Sequence, residues 1–224
     1  MRTIAISDIH GHSKTFNALL DKTGLTKDDR LFLLGDYVDR GPGSKGVLDS
    51  ILKLQQDGYR VKCILGNHED MMQRAHYSSY QSDLWMINGG ETTLESFGVG
   101  QAKDIPQEYI GFIESLSLTS ETDNALFVHA GLNMKNENPF VDETSLLWIT
   151  DWYNDINLDW LGTRKIIHGH VIRSRYDIEK SLDRIDKFPV MSIDNGCFVD
   201  LPDNGHLCAL DLTNRELFFM RNID

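Results

Sequence analysis

Apolar runs that end in polar residues alternate with amphipathic stretches along the first third of the chain. Residues 3–7, 30–34 and 59–65 have the aliphatic and β-branched composition of buried strands. Between them, apolar residues recur at helical spacing in residues 13–24 and 44–58, and both stretches end at a glycine. Strands that alternate with helices pair in parallel through right-handed crossovers, so the pattern predicts a βαβαβ unit.

The periodicity changes after residue 68. Residues 69–116 are mostly helical in pattern and contain several glycines, which predicts a helical insert. Strand-like runs return at residues 125–128, 165–167 and 189–193, and the final two apolar runs flank residues 213–215 in a hairpin pattern. We therefore expect an α/β (α+β) fold whose second half is partly antiparallel.

Composition narrows the class of protein. The chain has 224 residues, of which 41% are hydrophobic, so it can bury one core, and we expect a single domain over residues 1–224. Its net charge of -12 disfavours nonspecific binding to nucleic acid or to anionic lipid. We find no signal peptide, no apolar run long enough for a membrane span and only three scattered cysteines. We expect a cytoplasmic protein without nucleic-acid or membrane partners; its oligomeric state has no sequence signal.

Metal-ligating side chains recur where the strand-like runs end. Because the carboxyl ends of parallel strands meet at one edge of a sheet, these side chains are expected to converge there. Carboxylate, amide and imidazole donors of this kind suit two metal ions. The candidate ligands are Asp8, His10, Asp36, Asn67, His129 and His170.

We predict that one metal ion takes Asp8, His10 and Asp36, and that the other takes Asp36, Asn67, His129 and His170. Asp36 would bridge the two ions. The positive charge of two divalent cations exceeds the negative charge of two aspartates, so the site would attract a phosphate dianion. Mixed imidazole and carboxylate ligands without thiolate favour Mn, Fe, Zn or Ni over Mg or Ca, and Mn is the metal we expect.

Five motifs follow the strand-like runs: Asp8 to Gly11, Gly35 to Gly41, Gly66 to Glu69, His129 to Gly131 and Gly169-His170. Together they resemble one known family, the calcineurin-like metallophosphoesterases, and within it the small bacterial and phage serine/threonine protein phosphatases. The resemblance implies two packed mixed β-sheets flanked by helices and a dinuclear centre with the ligands above. His168 competes with His170 as a ligand, and the Gly-His pattern of the family favours His170.

Three further residues are candidates for catalysis. Two adjacent metal ions lower the pKa of a bridging water, so a hydroxide between them would attack phosphorus directly. His68 is placed to protonate the leaving alkoxide, and the resemblance pairs it with Asp39, which would fix its tautomer. Arg40 would bind phosphate oxygens. Alternatively, Asp39 and Arg40 form a local ion pair that closes a turn, and His68 is a spare metal ligand or an ordinary loop histidine.

The chain departs from its apparent family at two arginine positions. Leu65 stands immediately before the Gly-Asn-His-Glu motif, where protein phosphatases of this family have arginine. Thr150 follows Leu147-Trp148-Ile149, where bacterial relatives usually have the other arginine. Arg164, Arg173 and Arg175, near the later motifs, are candidate replacements. Leucine before the motif also occurs in relatives similar to symmetrical diadenosine tetraphosphate hydrolases.

The leading functional hypothesis is a metal-dependent phosphatase of phosphomonoesters. Its substrate would be a phosphorylated protein, at serine or threonine and also at tyrosine, or a small phosphoester. A dinucleoside polyphosphate hydrolase is the alternative enzyme, with Trp85 or Tyr77 as a stacking partner for adenine. A catalytically inactive metal-binding interaction module is the alternative outside enzymes. The tryptophans are otherwise interpreted as packing residues.

Overall fold

Two mixed β-sheets form the centre of the structure, a computed structural model that describes residues 1–224. One sheet has the strand order β3-β2-β1-β8-β9 and the other has the order β4-β5-β6-β7. The strands are β1 Thr3–Ile6, β2 Arg30–Leu33, β3 Arg60–Cys63, β4 Thr119–Thr122, β5 Ala125–Val128, β6 Lys165–His168, β7 Val190–Ser192, β8 His206–Asp211 and β9 Glu216–Arg221. This architecture confirms the predicted fold.

The strand pairing also follows the sequence pattern. In the first sheet, β1, β2 and β3 run parallel, with Ile4 opposite Leu31 and Leu31 opposite Val61. The predicted C-terminal hairpin is formed by β8 and β9, and β8 pairs antiparallel with β1. In the second sheet, β5, β6 and β7 are parallel, and β4 pairs antiparallel with β5.

Helices cover both sheets and form the predicted insert. The insert comprises four α-helices, one π-helical turn, Met86–Gly90, and one short 3-10 helix, Ala102–Asp104. No helix combines the length and the apolar composition that crossing a bilayer requires. The α-helices are α1 Ser13–Thr23, α2 Ser44–Gln56, α3 Asn67–Tyr77, α4 Ser79–Trp85, α5 Glu91–Phe97, α6 Gln107–Glu114, α7 Glu143–Trp148, α8 Leu158–Leu161 and α9 Arg175–Arg184.

The two sheets share a buried core. Phe32 of β2 and Phe127 of β5 stack across it, with ring centroids 4.0 Å apart and planes inclined by 14°. Ala5 and Ile167 are fully buried in the same cluster. Because the sheets pack in this orientation, the loops that follow β1, β2, β5 and β6 meet at one end of the molecule.

At the other end of β1, Asp29 ties the chain start to the entry of β2. Its carboxylate accepts hydrogen bonds from the Arg2 backbone N at 2.8 Å, from Arg2 Nη2 at 2.7 Å and from the Thr26 hydroxyl at 2.9 Å. These bonds, chiefly that from the Arg2 side chain, hold the pKa of Asp29 well below its usual value.

We expect Asp29→Asn to lower the free energy of unfolding by about 2 kcal/mol, because a charged acceptor of several bonds is lost. A depressed carboxyl pKa stabilises the fold above the unfolded-state value of about 3.9, and this stabilisation is lost as the pH falls further. Urea unfolding at several pH values should therefore show a deficit that is constant above about pH 5 and that shrinks below pH 4. Asp28→Asn, at an exposed neighbour, is the control; an equal deficit in both variants would contradict the prediction.

Candidate metal centre

Left-handed backbone conformations concentrate in the loops at the carboxyl ends of β1, β2 and β6. Of the seven non-glycine residues with positive φ, six lie in these loops, with φ between 46° and 69°. Such conformations cost an ordinary residue about 1–2 kcal/mol each, so they persist only where the surroundings impose them. The six residues are Asp8, His10, Asp36, Asp39, Arg40 and His170.

Asp36 lies at the centre of these loops. Its Oδ2 is 3.4 Å from His10 Nε2 and 3.9 Å from His68 Nε2, while its Oδ1 is 3.4 Å from His129 Nε2. Two groups of potential ligand atoms result, each within 4.8 Å: His10, Asp36 and His68, and Asp36, His129 and His170. Asp36 is common to both groups.

The protonation states of His10 and His129 indicate that a cation fits between each ring and the Asp36 carboxylate. His10 Nδ1 lies 3.1 Å from the Val38 carbonyl and His129 Nδ1 lies 2.8 Å from the Leu34 carbonyl, so each Nδ1 carries the proton and donates. Burial lowers the pKa of both rings and keeps them neutral. Each Nε2 therefore turns a lone pair toward the Asp36 carboxylate. Lone pairs facing a carboxylate at 3.4 Å repel unless a positive charge lies between them.

The remaining predicted ligands adjoin these groups. Asn67, the first residue of α3, places Oδ1 2.8 Å from His129 Nε2. Asp8 accepts the backbone N–H of His170 at 3.0 and 3.1 Å and also the Ser7 hydroxyl. The structure thus brings all six predicted ligand residues together. It differs in one detail, since His68 rather than Asp8 completes the group around His10.

Asp8 is held in this orientation by a close approach of two strand ends. A Cβ atom on Gly169 would lie within 2.0 Å of Asp8 Oδ2, so only glycine fits at this position. With Gly169 here, the end of β6 reaches the end of β1, which lies in the other sheet. The carboxylate then bonds the first backbone N–H beyond that glycine.

His168 faces away from this cluster. Its Nε2 lies 3.0 Å from the Tyr153 hydroxyl and its Nδ1 lies 2.9 Å from the Gly169 carbonyl. Burial lowers the pKa of His168 to about 3, so the ring is neutral. The structure therefore places His170, and not His168, within the ligand group.

Glu69 fixes the central loop to helix α3. Its carboxylate accepts backbone N–H groups of Gly66 at 3.1 Å, Asp36 at 2.8 Å, Tyr37 at 2.7 Å and Val38 at 3.2 Å. The side chain is completely buried. One carboxylate thus holds both the start of α3, which carries Asn67, and the loop that carries Asp36.

Asp39 is held by three donors. It accepts from His68 Nδ1 at 2.7 Å, from Trp85 Nε1 at 2.8 Å and from the Thr93 hydroxyl at 2.6 Å. Burial opposes protonation of His68, but Asp36 and Asp39 together raise its pKa. Trp85 and Thr93 belong to the helical insert, and no sequence signal marks them, because their contact with Asp39 depends on how the insert docks.

Arg40 lies across the front of the cluster. Its Nη1 is 3.1 Å from His10 Nε2 and its Nη2 is 3.1 Å from His68 Nε2. The guanidinium also stacks on the ring of Phe198, 4.2 Å from its centroid. The fork is therefore oriented and supplies positive charge to the ligand cluster.

Comparison with known proteins places this geometry in a family. The family model of the calcineurin-like phosphoesterases matches residues 1–192, which include every residue of the cluster. The chain belongs to the calcineurin-like phosphoesterases. Enzymes of this family depend on two metal ions, and the ligand cluster around Asp36 matches that requirement.

Individual relatives of this phosphoesterase differ in their named activities. A symmetrical bis(5'-nucleosyl)-tetraphosphatase of Nitrosomonas europaea is 32% identical over 133 residues, which are 59% of this chain and 45% of that protein. A protein serine/threonine phosphatase of Saccharomyces cerevisiae has a similar structure, with a TM-score of 0.67, 18% identity and coverage of 100% and 81% of the two chains. A solved protein provisionally named a diadenosine tetraphosphatase gives a TM-score of 0.64, 20% identity and coverage of 98% and 92%. The match thus spans less than half of the curated relative, and the structural likenesses show the fold alone.

The candidate replacement arginines of this phosphoesterase do not reach the cluster. Arg164 stacks on Trp160 at 4.9 Å, Arg173 on Tyr153 at 5.0 Å and Arg175 on Phe219 at 4.6 Å. Arg40 is thus the arginine that contacts the metal-ligating side chains.

The interpretation of all four tryptophans as packing residues is wrong for one of them. Trp85 and Trp152 are buried, but Trp148 is 41% exposed, and its ring lies 6.1 Å from that of His170. Trp148 ends α7, directly before Ile149, and stands beside His170, a candidate metal ligand. Sequence reasoning missed it because α7 itself was not predicted.

The Trp85 contact leads to a testable expectation for this phosphoesterase. We expect Trp85→Phe to keep the metal content but to lower kcat by about 10-fold to 100-fold, because an outer hydrogen bond that orients a site residue is lost. The loss should be larger for substrates with poor leaving groups, since these depend most on a proton donor, the role predicted for His68. Steady-state kinetics with metal analysis checks this. Trp160→Phe is the matched control, and equal losses for good and poor leaving groups would contradict a positioning role.

Proposed function

We propose that this chain is a metal-dependent phosphatase that hydrolyses phosphomonoesters, with phosphoserine and phosphothreonine proteins as its main substrates. In this proposal His10, Asp36, Asn67, His129 and His170 bind the ions, together with Asp8. His68 is the general acid. The observation that carries the proposal is the buried pair of His68 and Asp39, 2.7 Å apart, beside the ligand cluster.

The proposed division of labour follows from the contacts. When bound, the two cations neutralise phosphate charge and lower the pKa of water, which supplies hydroxide to attack phosphorus. Mn is the expected metal, and Fe, Zn or Ni also suit the donors. His68 Nε2 faces the cluster and gives its proton to the departing alkoxide oxygen. Asp39 accepts from Nδ1 and so keeps the ring in the orientation that this transfer needs.

The leaving group explains why the acid favours monoesters. An alkoxide of serine or threonine is a strong base and leaves only if it is protonated, whereas a phosphate leaving group is already stable as an anion. Burial lowers the pKa of His68, but Asp36 and Asp39 outweigh it and raise the pKa, which favours the protonated ring that a general acid requires. A chain that cleaved only phosphoanhydrides would gain little from three donors directed at Asp39.

Arg40 is proposed to bind the phosphate oxygens of the substrate. A guanidinium matches phosphate geometry as a fork. Ions held by His10 and its neighbours would replace the positive charge that Arg40 supplies at 3.1 Å. The side chain would then be free to turn to the substrate while its stacking on Phe198 limits how far it moves. With Leu65 in place of a second arginine, the phosphate would be held by fewer cations than in relatives that have both.

A symmetrical dinucleoside tetraphosphate hydrolase is the second candidate, and one observation favours it. Trp148 offers an exposed indole 6.1 Å from His170, where a nucleobase could stack. The predicted stacking partner Trp85 is fully buried and is unavailable for this role. The Nitrosomonas europaea relative carries the corresponding name.

Turnover of four substrates in Mn-supplemented buffer separates these functions. The substrates are p-nitrophenyl phosphate, a phosphoserine peptide, a phosphotyrosine peptide and diadenosine tetraphosphate. We expect the phosphoserine peptide to have a higher kcat/KM than the dinucleotide. The opposite order would establish the second candidate, and its kcat/KM should then fall in Trp148→Ala. Two bound ions without hydrolysis of any substrate would indicate a metal-binding module.

A further inference from the structure

A basic cleft lies outside the metal centre, between α9 and the strand β7. Its volume is about 350 Å³, and none of the proposed metal ligands lines it. Three cationic side chains line it together with one carboxylate: Arg173, Lys180, Arg184 and Asp177. Arg173, one of the candidate replacement arginines, lines this cleft.

The three cations have no acidic partner. None of them takes part in an ion pair, although the chain has a net charge of -12 and many other cations do. Asp177 accepts from the Ser174 hydroxyl at 2.7 Å at the start of α9, and it lies beyond ion-pair distance of the cations. The cleft is therefore a local excess of positive charge in an acidic protein.

Two of the cations are neighbours on one helical face. Lys180 and Arg184 are four residues apart on α9, and like charges at this spacing destabilise a helix. Arg173 is fixed by stacking on the Tyr153 ring at 5.0 Å. The Tyr153 hydroxyl is in turn 3.0 Å from His168 Nε2, which anchors this wall of the cleft. A bound anion would remove the repulsion and would meet a partly ordered set of donors.

We propose that this cleft binds a small anion with two or more phosphate groups. Arg173 and Arg184 provide planar donor forks and Lys180 provides a point charge, the combination suited to phosphate oxygens. Phe188 at the rim is 66% exposed and offers a face for a base if the anion is a nucleotide. The site is separate from the metal centre, so the proposal is independent of the proposed function.

Calorimetric titration of the full chain with pyrophosphate and with ADP tests the proposal. The titrations use metal-loaded protein and protein stripped with a chelator, so that anions held by the metal ions are distinguished. We expect one site that persists in the stripped protein and that weakens as salt is raised from low to physiological ionic strength. Tighter binding of ADP than of pyrophosphate would identify a nucleotide, and equal binding would identify the diphosphate group.

Variants decide whether the cleft is responsible. Lys180→Gln/Arg184→Gln should weaken binding to the stripped protein by at least about 10-fold, because two charge-assisted contacts are lost. Lys14→Gln/Lys103→Gln removes the same charge at exposed positions away from the cleft and should leave the affinity unchanged. Thermal melting checks that each variant is folded. No binding to the stripped protein, or equal affinity in the two double variants, would overturn the proposal.

Discussion

Replacing Asp36 with Asn is expected to remove both metal ions and nearly all turnover. The two Asp36 oxygens face His10 and His129 from opposite groups, each at 3.4 Å, so one substitution alters both positions. Asparagine keeps the shape but loses the charge that offsets two cations. Loss of metal removes several kcal/mol of transition-state stabilisation, or about 10³-fold in kcat. Elemental analysis after gel filtration, together with p-nitrophenyl phosphate turnover, measures both effects.

Asp57→Asn is the matched control for this substitution. Asp57 is exposed and pairs only with Lys53 on α2, so metal content and turnover should equal those of the wild type. Near-native circular dichroism of Asp36→Asn would exclude a folding defect. Two ions retained in a folded Asp36→Asn would show that the carboxylate does not bridge.

Replacing His68 with Asn is expected to separate metal binding from proton donation. The ions should be retained, because five other predicted ligands surround Asp36. Turnover of a phosphoserine peptide should fall by about 10²–10⁴-fold, the usual contribution of a general acid. Turnover of p-nitrophenyl phosphate should fall much less, because nitrophenolate leaves without a proton. The ratio of the two kcat values is the measurement that matters.

His206→Asn controls for loss of an imidazole. His206 lies on β8 and its Nδ1 donates to the Asn204 carbonyl at 2.9 Å, so neither substrate should be affected. A parallel loss of metal and activity in a folded His68→Asn variant would contradict the acid role. If His68→Asn lowers the metal content in parallel with activity, His68 is a ligand, as its place beside His10 in the cluster allows.

Most of the fold is predictable because its central strands are short and almost entirely apolar. Residues 125–128 are predicted as a strand and form β5 with those limits. The predicted parallel unit and the C-terminal hairpin are present in one sheet. Helix α9 was missed because polar and charged residues dominate it and only Ile178 on it is buried, although Ile178 and Leu182 are four residues apart, as in an amphipathic helix. The Ser174 side chain accepts from the Asp177 backbone N, a capping signal that could have located its start.

The ligand cluster was predictable for a different reason. Each ligand follows a strand, so topology alone brings them to one edge. The supporting contacts were not, because Trp85 and Thr93 reach Asp39 across 46 and 54 residues through the packing of the insert. The positions of Arg173 and Trp148 were also not predicted. Arg173 lies just before α9 and Trp148 ends α7, and the sequence analysis predicted neither helix.

The close contact of Gly169 with Asp8 joins the ends of two strands that belong to different sheets. His10 and Asp36 follow strands of one sheet, and His129 and His170 follow strands of the other. Ions bound among them would join the two layers at the end that carries the ligand loops. The melting temperature should therefore climb with metal concentration, following the logarithmic dependence expected for a ligand that binds only the folded state. Scanning calorimetry across a Mn titration should show a lower melting temperature as the metal is withdrawn.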